Sequence, residues 1–309
     1  MGLTPSIEAA LIQVGLDPAY VEALARATVA EDLAGGVDVT SAATVPSEQR
    51  STVDLVAREP GVVAGTPVAA AVFDIVSAGN CQVLFARADG EWVSRDDVVL
   101  TVTGRTRDLL TAERSALNLM CHLSGVASAT RAWADQLEGS GAKVRDTRKT
   151  TPGLRVLEKY AVRCGGGVNH RMFLSDAALV KDNHVVAAGG VAAAFAAVRA
   201  MWPGLDVEVE VDSLEQLNEV LEAGADLVLL DNFNPEQMRL AVGIAREYAL
   251  DSGLPRAILE ASGGLTLADA AAVAATGVDY IAVGALTHSS PILDIGADLR
   301  PLATLSPLS

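Results

Sequence analysis

The chain has 309 residues, half of them hydrophobic and a fifth charged, which suits one large folded domain or two smaller ones. Its 39 acidic residues outnumber its 23 basic ones and give a formal net charge of -16. This excess of negative charge argues against nucleic acid and against a membrane as partners, because both attract broad basic surfaces.

The predicted elements begin with helices and continue into strands. Residues 6–33 alternate apolar and polar side chains at helical spacing, and Pro18 after Asp17 marks a helix start. The next segments are strand-like except for a short helix over 66–78, and they lie at 52–57, 81–85 and 98–102. A helical pattern begins near Thr111. We therefore predict an N-terminal α+β module.

The second half of the chain alternates strand-like and helical runs. The apolar strand-like runs lie at 176–181, 206–211, 226–231, 256–261 and 279–284. The Ala- and Leu-rich helical segments lie at 190–201, 213–223, 235–249 and 266–276. This alternation predicts βαβ units and a parallel sheet. The longest uncharged apolar run, Val185–Val198, is too short to span a bilayer and is interpreted as a buried helix.

Polar or glycine residues stand at the end of each strand-like run in this half. That is the position of the active site in a β/α barrel. An open doubly wound sheet is the alternative, but it concentrates its ligands at one switch point. Residues 125–290 are fewer than the roughly 250 that eight full barrel units require. The pattern therefore favours an incomplete α/β barrel.

The cysteines indicate the compartment. Cys81, Cys121 and Cys164 are far apart and form neither a CxxC pair nor a disulfide framework. A reducing, cytoplasmic environment fits this usage. We also expect no signal segment, because the apolar stretch Ile7–Val14 is short and no basic region precedes it.

A cationic segment interrupts the acidic chain between Arg145 and Lys181. It contains eight basic residues and three acidic ones. Charge of one sign that is concentrated against the overall balance indicates an anionic ligand, although a solvated basic face has the same composition. Five side chains here are candidate anion contacts: Arg148, Lys149, His170, Arg171 and Lys181.

Acidic side chains end the next two strands. Glu208 and Glu210 are two residues apart and share one face of a strand, so both are expected to point into the barrel. With Asp231 at the following strand end, they are suited to a hydroxylated or Mg2+-bound ligand. The alternative is an internal salt bridge with Lys181 or with an arginine.

Glycines end the last two strands. Ser262-Gly263-Gly264 and Gly284 allow the backbone to approach an anion, and a helix start near Thr266 favours negative charge. Phosphate binding after the last two strands is a recurrent barrel feature, whereas plain turns are the alternative. His288 lies just beyond and is a further candidate phosphate contact.

Several motifs resemble those of one family. They occur in the order Glu113–Asn118, Thr147–Gly153, Asn169–Arg171, Val180–His184, Glu208–Val211, Leu230–Phe233 and Glu260–Gly264. Together they closely resemble the quinolinate phosphoribosyltransferase family. The resemblance implies the type II phosphoribosyltransferase fold. An N-terminal α/β sandwich domain over residues 1–124, with the tail 291–309 packing back on it, precedes an incomplete α/β barrel over 125–290.

The resemblance also implies an assembly and a reaction. The expected assembly is a homodimer with shared active sites, in which Arg114 reaches the partner's barrel. The expected reaction joins quinolinate to phosphoribosyl pyrophosphate (PRPP) and releases pyrophosphate and CO2, with Mg2+ as cofactor. Two other hypotheses remain open, namely a Schiff-base aldolase that uses Lys181 and a non-catalytic phosphate-binding barrel.

The resemblance assigns expected roles to residues. The catalytic set is Lys149, Lys181, Glu210 and Asp231, of which Glu210 and Asp231 hold Mg2+ directly or through substrate. The quinolinate set is Arg114, Arg148, His170 and Arg171, with Lys149 and Lys181 suited to carboxylate or pyrophosphate contacts. Thr147 is a further substrate contact. The phosphate set is Ser262, Gly263, Gly264, Gly284 and His288.

Overall fold

The structure, a computed structural model, describes residues 2–301 and divides them into two compact units. The first unit extends to Ser128 and also includes Val156–Gly165 and the segment from Ser290 onward. The second unit comprises Ala129–Arg155 and Gly166–Ser289. Helical residues 156–165 therefore belong to the N-terminal unit, although the sequence assigned them to the barrel. Of the predicted returning tail, residues 302–309 lie outside the described residues.

The first unit contains helices and short strands in mixed order. Its helices are α1 (Pro5–Gln13), α2 (Pro18–Leu33), α3 (Val39–Thr44), α4 (Thr66–Val76), most of α5 (Thr106–Gln136) and most of α6 (Arg155–Cys164). Its strands are β1 (Arg50–Ala57), β2 (Gly61–Val62), β3 (Gln82–Ala86), β4 (Trp92–Val93), β5 (Val98–Arg105) and β12 (Ile295–Pro301). Pro18 begins α2 as predicted, and the Asp17 side chain caps it by accepting from the Ala19 N–H.

An antiparallel sheet of four strands forms the centre of this unit, in the order β12-β1-β5-β3, and β2 and β4 pair separately. Strand β1 lies between two neighbours, and seven of its eight residues are buried. Strand β12 pairs along the length of β1, from Ile295 opposite Ala57 to Pro301 opposite Ser51. The last described residues of the chain thus belong to the N-terminal sheet.

The second unit repeats strand and helix. Its strands are β6 (Lys143–Arg145), β7 (Ala178–Val180), β8 (Val207–Val211), β9 (Leu227–Asp231), β10 (Ile258–Ser262) and β11 (Tyr280–Ala282). Its helices are α7 (Asp182–Ala188), α8 (Val191–Met201), α9 (Leu214–Glu222), α10 (Pro235–Ser252), α11 (Ala270–Ala274) and α12 (Ala285–His288). A 3-10 turn, Leu267–Asp269, precedes α11.

The strand order distinguishes the barrel from the open sheet. The six parallel strands lie in the order β6-β11-β10-β9-β8-β7, so the first strand in sequence pairs with the last. A doubly wound sheet would instead reverse its order at a switch point. Val168 forms a single parallel bridge with Arg145 on the free side of β6. The unit is therefore a barrel left open between β6 and β7, and the predicted fold class is confirmed.

The apolar run Val185–Val198 differs from its prediction. It forms two helices, α7 and α8, that break at Gly189 and Gly190, both with positive φ. Val186 in α7 is 81% exposed, so this part of the run is not a buried helix. Within residues 2–301, no single helix has the length and apolar character to cross a membrane; α7 and α8 meet those criteria only together, with an 87° bend between them.

Candidate active site

A cavity of about 450 Å3 lies at the carboxyl ends of the barrel strands. Parallel strands that run in one direction present all these ends at the same side of the barrel. The cavity is lined by nine of the residues singled out in the sequence: Thr147, Arg148, Lys149, His170, Arg171, Lys181, Glu210, Asp231 and Ser262. The strand-end pattern therefore brings together most of the predicted site.

Each of these side chains has a defined place on a strand or in the loop after it. Arg148 and Lys149 are in the loop after β6, Lys181 directly follows β7, Glu210 lies on β8, and Asp231 and Ser262 are the last residues of β9 and β10. The Lys149 N–H donates to Thr147 Oγ1 at 3.0 Å, which folds the loop after β6 back on itself.

Arg148 and Arg171 make the cavity suited to an anionic ligand. Nη1 of Arg171 donates to the Ala177 carbonyl at 2.8 Å. In contrast, the Nε of Arg148 and the Nε of Arg171 are buried and have no hydrogen-bond partner within residues 2–301. Burial and the repulsion of Arg148 lower the pKa of Arg171. Two partly desolvated guanidinium groups with spare donors are suited to a ligand that carries two negative groups.

Lys181 forms an ion pair at the cavity rim. Its Nζ lies 2.6 Å from Glu210 Oε2, and its side chain is 48% exposed. Its backbone N–H donates to His184 Nδ1 at 2.9 Å, which fixes the turn into α7. A Schiff-base lysine must react as a neutral amine, whereas a carboxylate partner favours the ammonium form. The geometry therefore suits an anion-binding lysine better than the nucleophile of an aldolase.

The ends of β9 and β10 are held together through Asn232. Asn232 has a left-handed φ of 58°, its N–H donates to the Ser262 carbonyl at 2.9 Å, and its Nδ2 donates to Asp231 Oδ2 at 2.7 Å. Gly263 has a φ of 108°, and a Cβ there would lie 2.8 Å from the Asn232 backbone nitrogen. Gly263 is therefore required by the close approach of the two strand-end loops.

Gly284 and His288 lie beside Lys149. A Cβ on Gly284 would be 3.0 Å from Lys149 Cδ and 3.2 Å from His288 Nε2. Thr287 Oγ1 donates to the Lys149 carbonyl at 2.9 Å. The absence of a side chain at Gly284 thus leaves room for Lys149 and His288 beside its backbone, and it brings part of the predicted phosphate set to the cationic loop.

The expected helix start near Thr266 is a 3-10 turn. The Thr266 N–H donates to Asp269 Oδ2 at 2.9 Å, and the Thr266 hydroxyl donates to the same oxygen at 2.6 Å. This capping box uses an N–H that an anion at a helix terminus would need. A phosphate here would instead depend on Ser262, Gly263 and Gly264.

Comparison with known proteins decides the family. The family descriptions "Quinolinate phosphoribosyl transferase, N-terminal domain" and "Quinolinate phosphoribosyl transferase, C-terminal domain" match residues 38–124 and 126–298. The chain belongs to the quinolinate phosphoribosyltransferase family. It is 54% identical over 275 residues to the nicotinate-nucleotide pyrophosphorylase [carboxylating] of Mycobacterium leprae, covering 89% of this chain and 95% of the relative.

Two other relatives extend this comparison. The Homo sapiens protein of the same name is 40% identical over 287 residues, covering 92% of this chain and 93% of the human one. The solved nicotinate-nucleotide pyrophosphorylase of Francisella tularensis superposes with a TM-score of 0.84 at 37% identity, covering 91% of this chain and 96% of that one. The quinolinate phosphoribosyltransferase family match thus spans both units.

This member of the quinolinate phosphoribosyltransferase family has a second set of polar side chains, of which His170 and Glu260 also line the cavity. We call Arg145, His170, Glu208 and Glu260 the buried layer. Glu208 is 2% exposed and Glu260 is fully buried. His170 Nε2 lies 2.5 Å from Glu208 Oε2, and Arg145 Nη1 donates to Glu260 Oε2 at 2.6 Å and lies 4.0 Å from Glu208 Oε1. Glu208 therefore has the internal partners that the sequence analysis considered as its alternative.

Sequence reasoning did not identify Arg145 and Glu260 as site residues. The period of two along a strand contains the signal, since Glu260 is two residues before Ser262 and shares its face. Burial, with the nearby negative charge of Glu208, raises the pKa of Glu260 to about 8, while Arg145 acts in the opposite direction.

The carboxylates of Glu210 and Asp231 fit Mg2+ in this quinolinate phosphoribosyltransferase fold. Both line the cavity and offer the oxygen ligands that Mg2+ prefers. Their oxygens also contact the Lys181 ammonium and the Asn232 amide, so they do not form an all-protein cage. Such a site suits an ion that keeps water and binds substrate phosphates at the same time.

Arg114 belongs to the N-terminal unit. It is an exposed residue of α5, in the part of that helix that precedes Ser128. The quinolinate phosphoribosyltransferase motif Glu113–Asn118 therefore lies in a different unit from the cavity, and the role of Arg114 remains a prediction about the assembly.

Proposed function

We propose that this protein transfers a phosphoribosyl group to quinolinate and releases pyrophosphate and CO2, forming nicotinate mononucleotide in de novo NAD biosynthesis. The observation that carries this proposal is the pair of arginines, Arg148 and Arg171, whose buried Nε groups have no protein acceptor among the described residues. Quinolinate is a pyridine dicarboxylate, and two carboxylates match two guanidinium groups.

The roles of the cavity residues follow from their positions. Arg148 and Arg171, with Thr147, hold the quinolinate carboxylates. Lys149 and Lys181 line the same cavity and neutralise carboxylate or pyrophosphate charge. Ser262, Gly263 and Gly264, with Gly284 and His288 beside Lys149, hold the 5'-phosphate. These assignments orient the pyridine nitrogen toward the ribose anomeric carbon.

The chemistry depends on orientation and charge. The pyridine nitrogen forms a bond to the anomeric carbon while the bond to pyrophosphate breaks. Glu210 and Asp231 stabilise the positive charge that develops on the ribose. The nitrogen becomes a pyridinium, which accepts the electron pair when the adjacent carboxylate leaves as CO2, and the ring carbon then takes up a proton. The arginines retain the second carboxylate.

We include Mg2+ in the proposal. Glu210 and Asp231 would hold the ion together with substrate oxygens, and the ion would neutralise charge on the departing pyrophosphate. Chelation should therefore abolish product formation, and added Mg2+ should restore it.

The proposed reaction is tested by measuring CO2 release from carboxyl-labelled quinolinate with and without PRPP. We expect release only with both substrates and with an equal amount of pyrophosphate. Nicotinate in place of quinolinate is the control. Activity with nicotinate and none with quinolinate would contradict the proposal, and binding of PRPP without turnover would favour the non-catalytic barrel.

We also propose a homodimer in which Arg114 of one subunit completes the site of the other. The support is that Arg114 is exposed, lies outside the barrel unit and belongs to a family motif. The experiment mixes an Arg114→Ala protein with a Lys181→Ala protein, each nearly inactive. Hybrid dimers should recover activity because one of their two sites has both residues. No recovery, with subunit exchange demonstrated by mass spectrometry, would contradict shared sites.

We propose a cytoplasmic location. The support is the cysteine usage, with Cys81, Cys121 and Cys164 all free thiols. Cell fractionation with a compartment marker tests it, and recovery in a membrane or secreted fraction would contradict it.

A further inference from the structure

His170 uses both ring nitrogens within the protein. The backbone N–H of Arg171 donates to His170 Nδ1 at 2.7 Å. On the other side of the ring, Nε2 lies 2.5 Å from Glu208 Oε2. The ring is buried, with 9% exposure, at the boundary between the cavity and the buried layer.

These two contacts define the tautomer. A backbone N–H can only donate, so Nδ1 must carry a lone pair and no proton. A carboxylate only accepts, so Nε2 must carry the proton and donate it to Glu208. His170 is therefore a neutral imidazole with the proton on Nε2, and that proton is directed away from Arg171.

The same contacts argue against a metal ion in the buried layer. Ligand atoms of His170, Glu208 and Glu260 lie within 4.8 Å of one another, which is close enough for a shared ion. A metal on Nε2 would remove its proton while Nδ1 accepts from Arg171, and the ring would have to become an imidazolate. Arg145 Nη1 already donates to Glu260 Oε2 at 2.6 Å. The cluster is suited to holding a proton rather than a metal.

The carboxylate of Asp146 holds the polypeptide around His170. The His170 N–H donates to Asp146 Oδ1 at 2.8 Å, and Asn169 Nδ2 donates to Asp146 Oδ2 at 2.5 Å. Asp146 is fully buried. The backbone at His170 is thus fixed independently of the ring, whereas the Arg171 N–H is held by the ring and the orientation of the ring depends on Glu208.

We propose that Glu208 is a positioning residue: it keeps His170 in its neutral Nε2–H form, so that Nδ1 holds the Arg171 N–H and fixes Arg171 at the cavity. His170 then acts on the substrate through Arg171 and does not give it an N–H, which replaces the direct quinolinate contact expected from the sequence. The tautomer assignment is independent of the proposed function, whereas the kinetic consequences rest on it.

The tautomer is measured in the intact wild-type protein by 15N–1H NMR of the histidine rings. The chain has four histidines, so His122→Gln, His184→Gln and His288→Gln variants assign the remaining signal to His170. We expect a protonated Nε2 and an unprotonated Nδ1 in the wild-type protein under the conditions of the activity assay. A protonated Nδ1 under those conditions would overturn the proposal, whatever reaction the protein catalyses.

The kinetic experiment compares two substitutions of Glu208 with one surface control. Glu208→Leu removes the acceptor, and we expect the KM for quinolinate to rise about 10- to 100-fold, the usual effect of losing the carboxylate that orients a histidine. Glu208→Gln keeps an acceptor oxygen and should raise it only about fivefold, because a neutral acceptor is weaker than a charged one. Glu219→Gln changes an exposed carboxylate on α9 and should leave KM unchanged.

A general loss of structure is separated from loss of positioning by the second substrate. We expect the KM for PRPP and the thermal unfolding midpoint of Glu208→Gln to stay near wild type. If Glu208→Leu does not fold, Glu208→Gln and the wild-type NMR measurement decide the question. An unchanged quinolinate KM in a folded Glu208→Leu protein would overturn the proposal. Wild-type protein that does not turn over quinolinate would refute the proposed function and leave the tautomer assignment standing.

Discussion

The mouth of the barrel and the buried layer contain the same kinds of residue in different roles. Glu210 at the mouth contacts an exposed lysine, whereas Glu208, two residues earlier on the same strand face, contacts a buried histidine. Arg148 has an Nε in the cavity lining with no partner among the described residues, whereas Arg145, three residues earlier, donates to a buried carboxyl group. The position along the strand, and not the residue type, separates ligand contacts from structural ones.

The mouth and the buried layer differ in how their charged groups are compensated. A charge at depth must be compensated within the protein, because an unpaired charge in a poorly solvated interior is costly. A charge at the mouth can remain available to a ligand, because water solvates the part of the side chain that is exposed. The buried layer should therefore affect stability and geometry, and the mouth should affect substrate binding.

The largest expected effect is the contrast between Arg148→Ala and Arg145→Ala. Arg148→Ala should raise the KM for quinolinate about 100-fold, because charged hydrogen bonds worth about 3 kcal/mol together are lost. Arg145→Ala should instead lower the free energy of unfolding by about 1–3 kcal/mol, because the buried carboxyl group of Glu260 loses its hydrogen-bond partner. Steady-state kinetics and urea unfolding measure the two effects.

The control for this contrast is Arg239→Ala, which changes an exposed arginine on α10. It should alter neither quantity appreciably. If Arg148→Ala destabilised the protein as much as Arg145→Ala, the division between mouth and buried layer would be wrong.

A smaller effect is expected when two adjacent glycines at the mouth are each replaced by alanine, because the KM for PRPP should differ between the two variants. A Cβ at Gly263 would meet the Asn232 backbone, whereas at Gly264, which has a φ of 59°, it would meet no described atom within 4 Å. Gly263→Ala should move the loops that end β9 and β10 and raise the KM for PRPP at least about tenfold, a loss of about 1.4 kcal/mol. Gly264→Ala carries only the left-handed penalty of about 1 kcal/mol. Equal kinetic effects would mean that the contact with Asn232 has no part in binding.

The last expected effect is a pH dependence of stability that comes from the buried layer. The pKa of Glu260 is about 8 in the folded protein, above its ordinary value of 4.5, so the folded state binds more protons between these two values. The stabilising effect of Glu260 is complete below the lower value and is lost as pH rises through the upper one. The slope is at most roughly 1.4 kcal/mol per pH unit.

Glu260→Gln removes this titration. We expect the variant to lose less stability than wild type between about pH 5 and about pH 8, as measured by urea midpoints. Glu219→Gln is the matched control and should keep the wild-type slope. Parallel curves for Glu260→Gln and wild type would show that Glu260 is ionised throughout this interval.

The sequence by itself determined the repeating strand-helix pattern and the polar strand ends. The alternation of apolar runs and Ala-rich segments depends only on local periodicity, so it predicted β7 to β11 to within a few residues. Because the carboxyl ends of parallel strands gather at one side, the same pattern brought Arg148, Lys181, Glu210 and Asp231 to one cavity.

Only the tertiary structure decided depth and pairing. Nothing local distinguishes Glu208 from Glu210, because both lie on one strand face and their environments come from distant residues, His170 and Lys181. The strand β6 also depended on context, since Val144 is its only apolar residue and lies between two basic ones. The break in the apolar run at Gly189 did so too, since two glycines can end a helix or lie within one. Burial is a property of the packed barrel, and burial decided which carboxylates face a ligand.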